Sequence, residues 1–240
     1  FFLYLAKICS FFIFVIELKM SGFMSTYKTK REIIAVNGLS LTIVSLADRR
    51  QFYDPDKTAE LLGISDSMWP ISGLVWPSGI VLARVVNRLD LASLRILEVG
   101  CGIALASLVA ASKQANITAS DYHPIVNTFL CENAQHNNLQ PIKYFHGNWH
   151  HPISNHGKFD LIIGSDILYE SEYCEILSVY MQCHLTKGGQ IILIDPGRRK
   201  AGKIKKFMGK LGFECKTTRL DEQGDAKKKG IFTQYNFQRV

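Results

Sequence analysis

The sequence predicts an α/β fold. It should contain a mostly parallel β-sheet that ends in a C-terminal antiparallel hairpin, with a separate β-hairpin near the N-terminus. Three observations carry this. Arg95 to Val99 reads as a short buried strand, Gly100 and Gly102 turn the chain, and Ala104 to Ala111 is a helix of small apolar residues. Apolar strand-like runs then alternate with longer amphipathic runs, the mark of βαβ units and right-handed crossovers. The tail, Phe213–Thr218 and Ile231–Gln238, reads as two strands around the polar loop 220–230. With 240 residues and 47% apolar content the chain can bury a sizeable core.

In chain order, residues 1–16 are almost wholly apolar, broken by Lys7 and Ser10. The apolar run after Lys7 is too short to cross a bilayer, which takes ~20 residues. It also lacks the basic start of a signal peptide. Residues 1–23 are expected to be an extension outside the folded domain, with Met20 or Met24 as a sensible start and a membrane anchor as the lesser reading. Glu32–Val36, Asn37-Gly38 and Leu39–Val44 form a hairpin signal, because Asn-Gly accepts the positive φ angles of a type I′ turn. This hairpin is expected to cap the main sheet from outside. A short helix is predicted over Pro55–Leu62, ended by Gly63. Two Trp-Pro pairs follow, at Trp69 and Trp76. Trp69 is read as packing under the sheet edge, and Pro77 opens a helix to about Leu89. Strands are predicted at Ile117–Ser120, Ile142–Phe145, Phe159–Ile163 and Gln190–Ile194, and helices at Pro124–Asn137, Ser171–Leu185 and Arg199–Leu211.

The glycine turn after Val99 brings backbone N–H groups close to a ligand. A dinucleotide fingerprint needs a third glycine, and Leu105 stands there. Glu98 would repel a pyrophosphate but suits a ligand with a cationic end. Asp121, after the second strand, can accept hydrogen bonds from both ribose hydroxyls. Two acids so placed fit S-adenosylmethionine better than NAD. Ligands of open α/β sheets lie beyond the carboxyl ends of the strands, and Gly100, Asp121, Asn148, Ser165 and Asp166 all fall at such ends. His146, His150 and His151 are close in sequence, but Gly147 and Asn148 break any helix and no cysteine or carboxylate completes a set. No metal site is expected. Six scattered cysteines without a Cys-x-x-Cys argue against a disulfide or metal scaffold and for a cytoplasmic setting. The net charge of +7 hints at an acidic partner.

Glu98-Val-Gly-Cys-Gly resembles the first motif of class I, Rossmann-like methyltransferases, and Asp121 resembles their ribose-binding acid. Phe159-Asp-Leu-Ile-Ile-Gly-Ser-Asp-Ile-Leu-Tyr169 resembles the fourth-strand motif of the seven-β-strand protein-lysine methyltransferases with an Asp-x-x-Tyr signature. Trp76-Pro-Ser-Gly79 and Asn148-Trp149 are similar to their pattern too. The likeness runs from about Met68 to Val240, so residues 68–240 are expected to be the methyltransferase domain, and 24–67 a hairpin and cap segment. It implies an S-adenosylmethionine-dependent N-methyltransferase, working as a monomer on a lysine of a protein.

For single residues the resemblance implies that Trp76 walls the cofactor and Glu98 lies near its methionine half or holds the loop. Gly100 and Gly102 allow close approach, and Asp121 takes the ribose. Tyr122 packs on the adenine edge, Asn148 contacts adenine with Trp149 against it, and Ser165 belongs to the same set. Asp166 and Tyr169 are the catalytic pair. A carboxylate and an aromatic face suit an ammonium acceptor, whereas the base-directed enzymes carry Asp/Asn-Pro-Pro-Tyr, and both prolines are missing here. The family often has glycine where Ala104 stands, and Asp where Asn148 stands. Asp195-Pro-Gly-Arg198 is similar to a stretch in relatives that act on an electron-transfer flavoprotein subunit. The basic run Arg198, Arg199, Lys200, Lys203, Lys205, Lys206 and Lys210 is read as a solvated helix face, with docking of an acidic protein or RNA as the other use. Two further functions stay open at this point. One is a small-molecule N-methyltransferase with the N-terminal segment as a lid. The other is a catalytically silent RNA- or protein-binding module of the same fold.

Overall fold

The structure is a computed structural model that describes residues 27–152, 154–168, 172–197, 201–223 and 229–240. The expected extension 1–23, Tyr169 and residues 198–200 of the basic run lie outside the described residues.

Seven strands form the main sheet: β3 (Arg95–Val99), β4 (Asn116–Asp121), β5 (Lys143–His146), β6 (Phe159–Ser165), β7 (Leu185–Asp195), β8 (Phe213–Gln223) and β9 (Lys229–Arg239). Their order is β5-β4-β3-β6-β7-β9-β8, and β9 alone runs against the direction of the other six. The chain thus winds outward from β3 to β5, returns to place β6 on the other flank of β3, and winds outward again. The reversal opens a crevice above the carboxyl ends of β3 and β6, where open α/β sheets bind ligands.

Side chains of the central strands alternate between two cores. Ile96, Ala119, Leu161, Ile163, Ile192 and Ile194 pack with helices α2 (Pro77–Arg88), α3 (Leu105–Ser112) and α4 (Val126–His136). Leu97, Val99, Ile162, Ile191 and Leu193 face the other way, against α5 (Tyr173–His184) and α6 (Ala201–Lys210). Phe159 breaks the alternation by joining the second core, and the register of β6 against β7 shifts at that point. Small residues let α3 sit close to the sheet: Leu105 through Ala110 are all buried. On α6, Ile204 and Met208 are buried while Lys203, Lys205, Lys206 and Lys210 are exposed, the solvated face expected of this run.

The N-terminal hairpin pairs β1 (Thr29–Val36) with β2 (Leu39–Leu46), and Val36 opposes Leu39. Asn37 and Gly38 have φ of +46° and +88°, as a type I′ turn requires. The hairpin forms a two-stranded sheet of its own and packs on α4 and α2. Two asparagines one turn apart, Asn133 on α4 and Asn137 at its C-cap, act as a substitute strand for the hairpin's edge. Asn133 accepts from the Val44 amide (2.7 Å) and donates to the Val44 carbonyl (3.0 Å), and Asn137 does the same for Thr42 (both 2.8 Å). This side-chain ladder satisfies an edge strand that would otherwise be open to pairing.

Between hairpin and sheet, the predicted helix 55–62 shrinks to one turn, α1 (Thr58–Leu61). Lys57 has φ +54°, outside the helical basin, so the turn starts only after it. Asp54 holds that start by accepting from the amides of Ala59 and Glu60 and from the Thr58 hydroxyl. Trp69 opens a 3₁₀ turn (Trp69–Gly73) and is 2% exposed. It packs against Tyr27, Phe52 and His123 rather than under the sheet edge.

Candidate active site

The site grows from the turn after β3. Gly100 and Gly102 have φ of +59° and +52°, and Ala104 reaches +57° before α3 begins. Only glycine enters this region without cost; a residue with a Cβ loses roughly 1–2 kcal/mol. A Cβ on Gly100 would stand 2.7 Å from Ile167 Cγ2 and 3.3 Å from Trp149 Cζ2, and one on Gly102 would stand 3.3 Å from the Ser72 carbonyl oxygen. The turn is therefore narrow for steric as well as torsional reasons.

Two buried carboxylates brace it. Glu98, 3% exposed, accepts from the amide and the hydroxyl of Ser107 in the first turn of α3 (2.8 and 2.5 Å), and so satisfies one of the amides that the helix leaves unpaired. Burial pushes its pKa from 4.5 up to about 7, against the pull of the Ser107 bonds and helped by the Asp121 charge. Asp121, at the end of β4, accepts from Gly102 N and His123 N, both at 2.9 Å, one on each oxygen. It ties the glycine turn to the neighbouring strand. Burial raises its pKa as well, opposed by these amides. It does not cap α4; there the His123 ring Nδ1 accepts from Ile125 N instead. That bond leaves the proton on Nε2 of a neutral ring, and burial pulls the His123 pKa down to about 4.

Tyr122 donates its hydroxyl to the Leu62 carbonyl (2.9 Å), fastening the cap segment over the end of β4. His146 turns its Nε2 to the Tyr122 carbonyl, and Asn148 accepts from His150 N through Oδ1. Trp76 precedes α2 and bonds the Ile71 carbonyl through Nε1. Among the described residues no three His, Cys, Asp or Glu side chains cluster as a metal set.

All of these walls enclose one cavity of about 1030 Å³. Trp76, Glu98, Gly100, Gly102, Asp121, Tyr122, Asn148, Trp149, Ser165 and Asp166 line it together. Tyr169, paired with Asp166 on sequence grounds, lies outside the described residues. Asp166 itself has φ +56° and donates its amide to the Ile194 carbonyl. A non-glycine residue held left-handed beside a cavity is stored strain of the kind found at functional sites. The volume lies at the top of the ~300–1,000 Å³ usual for a small-molecule site. Its lining contains three carboxylates, Glu98, Asp121 and Asp166, and neither lysine nor arginine among the described residues, although the chain carries a net charge of +7.

Several lining residues carry no sequence signal. The cap stretch Leu62–Ile64, Ile167 and Tyr173 also face the cavity. Gly63 marks a helix end and Tyr173 the start of a helix, but neither pattern says which way a side chain will point.

Comparison with known proteins agrees with this geometry. Residues 57–212 match the profile of a family described as lysine methyltransferase. The electron transfer flavoprotein beta subunit lysine methyltransferase of Rattus norvegicus is 32% identical over 146 residues, which is 58% of this chain and 54% of that protein. The human histone-arginine methyltransferase METTL23 is 27% identical over 166 residues, 65% of this chain and 87% of that protein. Thus the chain spans about half the length of the first of these relatives. Among solved structures, magnesium protoporphyrin IX methyltransferase from Synechocystis PCC 6803 with bound S-adenosylmethionine superposes with a TM-score of 0.52 at 19% identity, covering 68% of this chain and 80% of that one, a likeness of fold. With its profile match spanning most of the chain and its sheet in the order expected of class I methyltransferases, this protein belongs to the lysine methyltransferase family.

Proposed function

We propose that the chain is an S-adenosylmethionine-dependent N-methyltransferase whose acceptor is a lysine side chain of a protein. The observation that carries this reading is the charge of the cavity. Three carboxylates and neither lysine nor arginine among the described lining residues, in a protein of net positive charge, favour a cationic cofactor and a cationic acceptor in one space. A pyrophosphate cofactor would meet the same acids as repulsion.

The residues present fit the cofactor. Gly100 and Gly102 form a cradle that any Cβ would fill. Asp121 has lone pairs to spare for ribose hydroxyls beside the two amides that it already accepts. Glu98 faces a cationic end, Asn148 keeps an amide NH₂ for adenine, and Trp76, Tyr122, Trp149 and Ser165 complete the walls. Once bound, S-adenosylmethionine supplies a methyl carbon made electrophilic by its sulfonium.

The protein's remaining task is alignment. Asp166 draws the acceptor ammonium in and fixes its nitrogen through a charge-assisted hydrogen bond. Ile167 and Trp149 desolvate the entering group, which lowers the ammonium's pKa so that it gives its proton to water and leaves the neutral amine needed for attack. On the sequence reading Tyr169 shares this task. A cytoplasmic setting is the reading that the scattered spacing of the cysteines supports.

A relative named for arginine makes arginine the second reading. Radiolabelled cofactor with a cell extract, followed by hydrolysis of the labelled protein and amino-acid separation, decides between them. Label in methyl-lysines supports the proposal, and label in methyl-arginines or outside the protein fraction contradicts it.

A further inference from the structure

Two rings of the cavity wall, Tyr173 and His150, are given no part in holding the cofactor. Trp149 leans on the Gly100 turn, within 3.3 Å of where a Cβ would stand. Its ring meets Tyr173 edge to face, with centroids 5.9 Å apart at 82°. Tyr173 in turn meets His150 at 6.2 Å and 83°. Trp149 and Tyr173 are half-buried and His150 is exposed, so a row of rings leads from the surface down to the turn. Tyr173 opens α5, the helix that follows β6, and so comes from the strand whose end carries Asp166 and Ile167. All five residues line the same cavity. The ribose side is different: there the cap segment is fastened by Tyr122 beside Asp121, two strands away from β6 across β3.

We infer that Tyr173, braced by Trp149, forms the acceptor subsite. It takes the methylene stem of a lysine presented by an extended segment of a protein substrate, with His150 at the mouth and Asp166 at the base. This rests on the methyl-transfer reading of the cavity. A lysine is apolar along its stem and charged at its tip, so it gains from aromatic surface on the way in and a carboxylate at the end. The mutual edge-to-face contacts fix the tilt of Tyr173 and keep the passage open without a partner present.

The test uses the full chain, labelled S-adenosylmethionine, and the protein fraction of a cell extract as acceptor at varied concentration, with calorimetry of S-adenosylhomocysteine alongside. Tyr173→Ala is expected to raise the half-saturating extract concentration about ten-fold, with maximal rate within about three-fold and S-adenosylhomocysteine affinity within about two-fold. Tyr173→Phe should restore half-saturation, because the ring and not the hydroxyl is used. Tyr173→Leu keeps bulk in case alanine unsettles α5: raised half-saturation at an unchanged melting temperature supports the subsite, and wild-type saturation overturns it. Loss of S-adenosylhomocysteine affinity matching the loss of acceptor would assign the ring to the cofactor and overturn it too. A wild-type chain that binds S-adenosylhomocysteine but labels no protein would overturn both this subsite and the reading beneath it, whereas a failure confined to the variants overturns the subsite alone.

Discussion

Replacing Glu98 by glutamine should flatten the pH dependence of stability. Glu98 is buried at the end of β3 with a pKa raised from 4.5 to about 7, burial being the main cause. Well below pH 4.5 the side chain is protonated in folded and unfolded chains alike. Between the two values the folded protein holds a proton that the unfolded chain has released, so rising pH removes stability until the folded group has also ionised. The full loss is about 3 kcal/mol at ~1.4 kcal/mol per unit. Roughly 2 kcal/mol of it falls between about pH 5.5 and about pH 8.

Glutamine stays neutral throughout and can still accept from Ser107, so Glu98→Gln removes this slope while leaving a constant offset. Urea unfolding of both proteins across that range gives the difference directly. The stability gap between them should change by about 2 kcal/mol, in favour of the variant as pH rises. A cation placed beside Glu98 would hold it ionised, so S-adenosylmethionine binding near neutral pH should release up to about half a proton in the wild type and none in Glu98→Gln, read from calorimetry in two buffers. Parallel pH profiles for the two proteins would refute the reasoning, because Glu98 would then ionise alike folded and unfolded.

Three further outcomes are expected. Gly100→Ala combines a left-handed backbone with a contact at 2.7 Å to Ile167, and should cost roughly 2–4 kcal/mol in denaturant unfolding and weaken S-adenosylhomocysteine at least about ten-fold. Asn133→Ala leaves the amide and carbonyl of Val44 without their helix partner; a loss of about 2–4 kcal/mol is expected, with faster hydrogen exchange at Val44 than at Ile96. Asp166→Ala should abolish methyl transfer and keep S-adenosylhomocysteine affinity within a few-fold of wild type. Equal loss of both would mean that Asp166 serves the cofactor and not the acceptor.

The parts of the fold that could be read from sequence are those fixed by local chemistry. Asn37-Gly38 sets a turn by itself, because few other pairs tolerate two positive φ angles, and the pairing of Val36 with Leu39 follows. The β3 turn is equally local, since its glycines stand where side chains would collide. Alternating strands and helices give a parallel sheet through chirality alone. What could not be read is set by distant partners. The hairpin rests on α4 because Asn133 and Asn137, some ninety residues on, present amides at the spacing of a strand edge. Helix α1 is short because Lys57 turns left-handed while Asp54 gathers the amides behind it. The site divides in the same way. The strand ends name Gly100, Asp121, Asn148 and Asp166 in advance, since topology brings strand ends to one rim. Tyr173 and the Leu62–Ile64 wall appear only once the chain is folded, because a helix start and a helix stop have the same sequence signature wherever their side chains point.

The central claim is that the acid-lined cavity at the β3–β6 crevice accepts an adenosyl sulfonium. Calorimetric titration of the wild type and Asp121→Ala with S-adenosylmethionine, with NAD as control, tests it most directly. The account predicts one site per chain, at least about ten-fold weaker in the variant, and no heat from NAD. Absence of binding by the wild type, or equal affinity in the two proteins, would contradict it.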